Sequence, residues 1–444
     1  MREHRIGFRD VLAVRSFAVL YAAEVQSIVG DQLARVALSV LVFTRTGSAT
    51  ATAATYAATL LPAVLGGVLL GQLGDRFPRR AVMGGVDALR ACCFLIMAVP
   101  SVPLPAVMTL LVVAVAIGPV FTAAEVSYLA TALSAEQFRL ATATRMMSIQ
   151  VAQVVGFVLG GVAVAGLGAR AGLLFDAVTF ALSVLAVIVL VPGRVSAPLP
   201  RAGAAVASEA VSDAVARDAA VSDATAATAV RREGATAAPA PERGEAPFAG
   251  LWRTPKARRA LILSCLVGFF VVPEGLAVPF GDSRGAGTAA VGVLLASGAL
   301  GGAIGAVVLG RLVPPPRRAR VADAMAVACG LPLVLPVFDA RWQFAAACWC
   351  ASGVLAAYLV EATATLVHAI PDSARSRYIG IAGALLLGAQ GVGLLVFGWL
   401  AGLVAPVTAI ALAGAIGSAL ALAAVSGTGA RRGTHSASHM ESPG

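Results

Sequence analysis

The sequence has one lysine, Lys256, among 33 basic residues, and only 13% of its 444 residues are charged. So little lysine excludes whole mechanisms. A Walker A phosphate loop needs a glycine-rich turn ending in Lys followed by Ser or Thr. Pro255 precedes Lys256 and Ala257 follows it, so the chain carries no such ATP site. A lysine Schiff-base enzyme is excluded too, for want of a buried lysine. Histidine is nearly as scarce: of His4, His368, His435 and His439, only His368 falls within the apolar region. One histidine cannot build a multi-histidine metal site, so no metal, organic cofactor or enzymatic chemistry is expected. The six cysteines (Cys92, Cys93, Cys265, Cys329, Cys348 and Cys350) all lie in apolar stretches. They read as small core hydrophobes rather than a disulfide framework.

Apolar residues are abundant, at 59% of the chain, and the mean hydropathy is +0.87. No water-soluble core of this size needs so many, so the chain is read as a polytopic membrane protein. Runs long enough to cross about 30 Å of hydrocarbon recur at 11–43, 49–73, 80–99, 104–132, 138–166 and 170–191. Six more follow at 258–280, 287–312, 319–338, 342–368, 377–403 and 405–426. Without water to satisfy backbone groups, such spans must be helices. The fold class is therefore all-α, with twelve transmembrane helices. Residues 1–191 and 258–426 form two six-helix bundles. Residues 192–257, poor in aromatics and lacking an apolar period, are expected to be a largely disordered cytoplasmic tether. Residues 427–444 are expected to be a disordered tail. The first run is too long and too polar for a cleaved signal peptide, and its retention is expected.

The basic residues predict the orientation. With the N-terminus cytoplasmic, the inner segments hold 25 of the 33 Lys and Arg, while the outer loops hold only Arg45, Arg170, Arg284 and Arg341. That is the positive-inside pattern of a multi-pass cell-membrane protein with both termini cytoplasmic. The net charge of +10 follows from it and does not point to nucleic acid. The expected partners are a small-molecule substrate and the bilayer, with the chain a monomer.

The halves can be laid over each other. Gly66-Gly67-Val68-Leu69-Leu70-Gly71 at the end of the second span matches Gly305-Ala306-Val307-Val308-Leu309-Gly310 at the end of the eighth. Gln153, Gly156 and Gly161 match Gln390, Gly393 and Gly398 at one constant offset. Transporters built from repeats show such similarity, with the substrate site at the interface of the repeats. The spans thus form two six-helix pseudo-repeats.

After the second span comes Gly71-Gln72-Leu73-Gly74-Asp75-Arg76-Phe77-Pro78-Arg79-Arg80. It resembles the signature loop of the major facilitator superfamily, Gly-x-Leu-x-Asp-Arg-x-Gly-Arg-Arg, with Pro78 in place of the second glycine. Within the superfamily the resemblance is to the drug:proton antiporter group that includes macrolide and enterobactin exporters. Thr46-Gly47-Ser48, the Asp-Arg-Phe-Pro-Arg-Arg loop, and Asp87 followed by Arg90 carry that likeness. The resemblance implies a conformational latch of Gly71, Asp75, Arg76, Arg79 and Arg80. Asp75 would accept hydrogen bonds from the start of the eleventh helix near Arg377, locking the outward-facing state. A carboxylate at a helix N-terminus is favoured by the dipole. The second-half copy lacks the acid. The fourth span contains no arginine, and the fifth has Gly156-Phe157-Val158-Leu159-Gly160-Gly161 where the antiporter pattern has Gly-Pro-x-x-Gly-Gly. Both departures bear on the coupling ion rather than on the fold. Gly156, Gly160 and Gly161 still permit close helix packing.

A charge at bilayer depth costs about 2.5–3.5 kcal/mol on insertion scales, which makes it a functional candidate. The first span carries Glu24, Asp31 and Arg35 on one stripe. Asp31 and Arg35 are spaced to pair at i,i+4, either as a structural ion pair or in proton or substrate handling. Glu24, nearer the membrane centre and without a local cation, is the better proton carrier. Glu125 and Tyr128 share a face of the fourth span. Tyr358, Glu361, Thr365 and His368 share one of the tenth, with His368 at its solvated end. Such faces should line a cavity. Pro273-Glu274-Gly275 puts a carboxylate at a helix break. Asp87 and Arg90 read as a structural pair, and Asp176 as a bond to a neighbouring helix.

Together these features point to a secondary active transporter, with a proton gradient as the expected energy source and drug-like or amphipathic molecules as exported substrates. Export of one dedicated metabolite, a siderophore or a self-made antibiotic, is the alternative. A non-transporting receptor or scaffold on a transporter fold is the alternative of another class.

Overall fold

The computed structural model describes residues 8–70, 77–192, 254–368 and 375–426. Among these every regular element is a helix. The first half comprises α1 (Phe8–Leu12), α2 (Arg15–Thr46), α3 (Ala49–Ala58), α4 (Leu61–Leu70), α5 (Arg79–Met97), α6 (Leu104–Ala132), α7 (Ala135–Leu167) and α8 (Ala169–Leu190). The second comprises α9 (Pro255–Cys265), α10 (Val267–Phe270), α11 (Val272–Ser283), α12 (Thr288–Leu312), α13 (Pro315–Ala328), α14 (Leu331–Val334), α15 (Trp342–Ala356), α16 (Tyr358–His368), α17 (Arg375–Leu400) and α18 (Pro406–Ser426). Several spans are two helices in series: α3 with α4, and α15 with α16. The seventh is broken at Leu266 and Val271 into α9, α10 and α11, next to Pro273.

Eleven spans among the described residues are long and apolar enough to cross a membrane. The twelfth expected from the sequence, α5, is a helix of crossing length that carries Arg79, Arg80, Asp87 and Arg90. It does without apolarity on one face because Asp87 is buried inside the first half, against α8.

Local chemistry explains the turns. Gly47 ends α2 in the left-handed region at φ +62°, its N–H donating to Phe43 O. Ser48 then caps α3 by accepting from the Ala51 N–H at 3.2 Å. The Thr46-Gly47-Ser48 triplet is thus one helix stop and one helix start. Ser134 and Gln137 form a reciprocal capping box at the start of α7. In the loop before α15, Arg341 pairs with Asp339 at 2.8 Å and holds its carboxyl down to about 2.

The repeated glycines occupy matching crossings. Gly156 of α7 lies against α2, where an added Cβ would fall 2.8 Å from Val29 O. Its partner Gly393 of α17 lies against Gly268 of α10. Gly161 faces Gly292 of α12 across the junction of the halves, and Gly398 faces Ala53 of α3 across the same junction. Gly160 meets Leu33 and Val36 of α2.

These junction contacts share one depth. The α2–α3 turn and the starts of α8, α12, α15 and α18 lie on the face opposite the start of α2 and the end of α18, which is the terminal face; we call theirs the far face. Thr50 Oγ1 donates to Gly398 O at 3.0 Å, and Tyr56 Oη donates to Glu274 Oε2 at 2.6 Å. Among hydrogen bonds between described residues, these two join the halves. Both lie on the far side, as does Gly161–Gly292. The halves are therefore pressed together at the far face.

Candidate functional site

On the terminal side of those contacts, between the halves, lies a cavity of about 300 Å³. Three amide side chains line it from the first half, Gln32 of α2 and Gln150 and Gln153 of α7, together with Arg35. The second half contributes Glu274 of α11 and a wall of glycine, alanine and branched aliphatics from α12, α15 and α16. Arg35 Nη1 donates to Gln32 Oε1 at 3.2 Å, and its guanidinium lies 5.9 Å from the centre of the Tyr56 ring. Glu274 holds the Tyr56 hydroxyl with one carboxylate oxygen.

Arg35 does not pair with Asp31 as the i,i+4 spacing suggested. Asp31 Oδ1 instead accepts from Arg90 Nη2 of α5 at 2.9 Å. Arg90 lies over the Phe180 ring at 4.0 Å, which adds a cation–π contact that a helix-surface arginine would lack. Arg90 is thereby taken from Asp87, which accepts from Ser183 of α8 at 2.5 Å. Asp176, 0% exposed, accepts from Thr179 at 3.1 Å through one oxygen and has no partner for the other. Three aspartates from three helices thus surround one arginine.

A second network lies within the first half. Glu24 is not without a cation: Arg145 of α7 grips both its oxygens, Nε to Oε2 and Nη2 to Oε1, each at 2.6 Å. The same Nη2 reaches Glu125 Oε2 of α6 at 2.8 Å. Glu125 is 1% exposed and its other oxygen has no partner. Beside this triad the Tyr21 and Ser148 hydroxyls are hydrogen-bonded. The fourth span has no arginine, but the fifth brings one to it. Arg145 falls within the fifth span, 138–166, and that position was its sequence signal. Its partners could not be read, because they sit on two other helices.

The other expected cavity residues lie elsewhere. Tyr128 is buried in the first half among Phe17, Leu20 and Phe138. Tyr358 is also buried; its hydroxyl donates to Leu263 O at 2.9 Å and its ring meets Phe270 edge-on. The adjacent Leu359 and Val360 line the cavity instead, since α16 begins afresh after a break at Ala357. Glu361 is half-buried, within electrostatic reach of Arg318 and His368, and lies outside the cavity lining. His368 is exposed. Tyr56, Gln32 and Gln150 gave no sequence signal, because a lone polar residue in an apolar helix marks no site.

Of the latch, Gly71, Asp75 and Arg76 lie outside the described residues, as do residues 193–253, 427–444 and the Arg377 side chain. Arg79 donates to Ser127 O at 2.9 Å and to Thr131 at 3.3 Å, and Arg80 to Ile188 O. Both tie the start of α5 to its neighbours in the first half.

A multi-pass helical protein with two matched halves, and between them a largely apolar cavity carrying a few polar and charged groups, has the architecture of a membrane transporter. The chain matches the family model of the Major Facilitator Superfamily over residues 20–340 and belongs to that superfamily. Among solved structures it is similar to the human organic anion transporter MFSD10 (TETRAN), at 16% identity and a TM-score of 0.55, over 92% of this chain and 98% of that one. It is also similar to a POT family transporter in complex with a thioalcohol-conjugated peptide, at 11% identity and a TM-score of 0.66, over 93% and 95%. Identities this low speak for the fold alone. No curated protein matches the chain.

Proposed function

We propose that this secondary transporter is a proton-coupled exporter of drug-like, amphipathic small molecules, of the drug:proton antiporter kind. The Glu24–Arg145–Glu125 triad carries that reading. Two buried carboxylates share one guanidinium, so full ionisation leaves an uncompensated negative charge inside a half-bundle. An unpaired buried charge costs several kcal/mol, and a proton is the smallest ion that removes it. Glu125 is the better proton acceptor of the two, because Glu24 holds the bidentate grip and Glu125 keeps an oxygen without a partner. Proton release would free the triad to pull on α2, which also carries Gln32 and Arg35 into the cavity.

The basic-residue bias supports cytoplasmic termini and residence in the cell membrane. The far face is then extracellular, and a cavity closed there is presented to the cytoplasm, where an exporter loads. The latch of Gly71, Asp75, Arg76, Arg79 and Arg80 would hold the opposite, outward-facing state. The chain would work as a monomer, with no cofactor beyond the proton gradient.

The test is efflux of candidate drugs from proteoliposomes under an imposed pH gradient, with Glu24→Gln, Glu125→Gln and Glu361→Gln in parallel. Gradient-driven efflux should be lost in the first two and kept in the third, whose acid lies outside triad and cavity. Efflux that ignores the gradient, or survives Glu125→Gln, would refute proton coupling through the triad.

A further inference from the structure

The cavity holds two charged side chains of opposite sign, one from each half, and they are not paired with each other. Arg35 spends one of its N–H groups on Gln32 at 3.2 Å and makes no ion pair among the described residues. Glu274 binds the Tyr56 hydroxyl through Oε2, and Oε1 makes no hydrogen bond among the described residues. Both line the same space, as do Gln32, Gln150 and Gln153. Charges elsewhere in the first half are bonded into their own networks, Asp31 to Arg90 and Glu24 and Glu125 to Arg145.

We infer that the cavity takes zwitterionic solutes, with a carboxylate seated on Arg35 and an ammonium-type cation on Glu274. This rests on reading the cavity as the transport site. Closing the terminal face around a solute removes water from both side chains. Arg35 lies within electrostatic reach of Glu274, but a neutral solute would leave both desolvated without an ion-paired partner, and a cation alone would leave Arg35 so. Each such group is expensive in a low-dielectric interior. A zwitterion satisfies both, and the amides supply donors and acceptors for whatever polar atoms lie between its charges. It also becomes the salt bridge that Arg35 and Glu274 do not make directly, so its binding energy draws the halves together. Selectivity follows by the same accounting: a solute lacking one charge leaves a charged partner unmet. The cavity volume of about 300 Å³ is at the small end of drug-binding sites.

The test uses purified full-length protein and a matched fluorescent series: norfloxacin (zwitterion), its ethyl ester (cation only) and N-acetylnorfloxacin (anion only). We expect norfloxacin to bind at least tenfold more tightly than either relative. Arg35→Gln should abolish its advantage over the ester, and Glu274→Gln its advantage over the N-acetyl compound. Reversal of both charges, Arg35→Glu with Glu274→Arg, should restore a preference that each single reversal loses. Equal binding of the ester, no binding of any member, or a preference indifferent to both neutral variants overturns the inference. Transport of the same series in proteoliposomes separates the two readings. If the ester is bound and exported, the zwitterion inference falls and the exporter stands. If norfloxacin binds with the expected preference and no member is moved, the exporter falls and the site assignment stands.

Discussion

In the first half, α2, α6 and α7 converge on Arg145, while α2, α5 and α8 converge on Arg90; five buried or half-buried acids face these two arginines. The second half fills comparable positions with neutral bonds. Tyr358 donates to Leu263 O, Ser352 to Cys329 O, and Ser418 accepts from the Gly330 N–H. Among the described residues its ion pairs are Arg259–Asp323, which joins α9 to α13, and Arg341–Asp339 in the loop before α15. The helix plan and its glycine crossings are duplicated, yet the charge is not. Duplication preserved what packing needs, and buried charge was concentrated in one half. The second half contributes the apolar wall of the cavity and one acid, Glu274.

The hardest blow to this asymmetry is Arg145→Ala. It strands Glu24 and Glu125 without their cation, and breaking a buried pair in this way costs about 3–5 kcal/mol. The loss should appear as a large drop in melting temperature in detergent. Adding Glu24→Gln and Glu125→Gln to the same chain should restore most of it. Tolerance of Arg145→Ala alone would mean that the acids are already neutral and the triad carries no excess charge.

Tyr56→Phe attacks the far-face junction with a smaller expected effect. The hydroxyl donates to a carboxylate at 2.6 Å, and a hydrogen bond to a charged group is worth about 1.5–3 kcal/mol. That energy favours the state closed at the far face, so the variant should open there more often. Labelling of a cysteine placed at Thr50, in an otherwise cysteine-free background, should speed up roughly tenfold. An unchanged rate, against the same cysteine in the Tyr56 background, would show that the glycine crossings suffice to hold the junction.

Gly161→Ala sharpens the comparison from the packing side. Its Cβ would fall 2.6 Å from the Gly292 Cα, so the two helices must separate by a fraction of an ångström. Overpacking of this kind costs about 1–3 kcal/mol, here levied on the far-face-closed state alone. Gly160→Ala should not change the conformational balance, because Gly160 meets α2 of its own half. Equal labelling in the two variants would deny the junction its special status.

The helices and the repeat were legible because each follows from local pattern: apolar length and fixed offset. Glu274 at a break was legible for the same reason, since Pro273 announces one. The pairing of charges was not. Asp31 with Arg35, and Asp87 with Arg90, were the best matches within one helix, and the fold replaced both with partners from neighbouring helices. A stripe on a helix shows which residues share a face but not what that face meets. Tyr358 was misplaced on that account, buried by the turn at Ala357 that rotates α16.

The smallest expected effect tests the quietest acid. Asp176 has no exposure, one oxygen bonded to Thr179 and the other with no partner. Asp31 and Arg90 lie within electrostatic reach, but Arg90 bonds to Asp31 rather than to it. Asp176→Asn keeps the shape and the acceptor for Thr179, turns the unpartnered oxygen into an amide NH2, and removes the capacity for charge. Replacing a poorly compensated buried acid by a neutral isostere is neutral or stabilising, here by about 1 kcal/mol at most. Asp31→Asn, by contrast, removes the carboxylate that Arg90 holds and should be clearly destabilising. Thermal unfolding of the two variants side by side decides whether Asp176 is a spectator. If Asp176→Asn costs as much as Asp31→Asn, Asp176 is a charged member of the Arg90 network, and the first half handles more charge than the Arg145 triad alone.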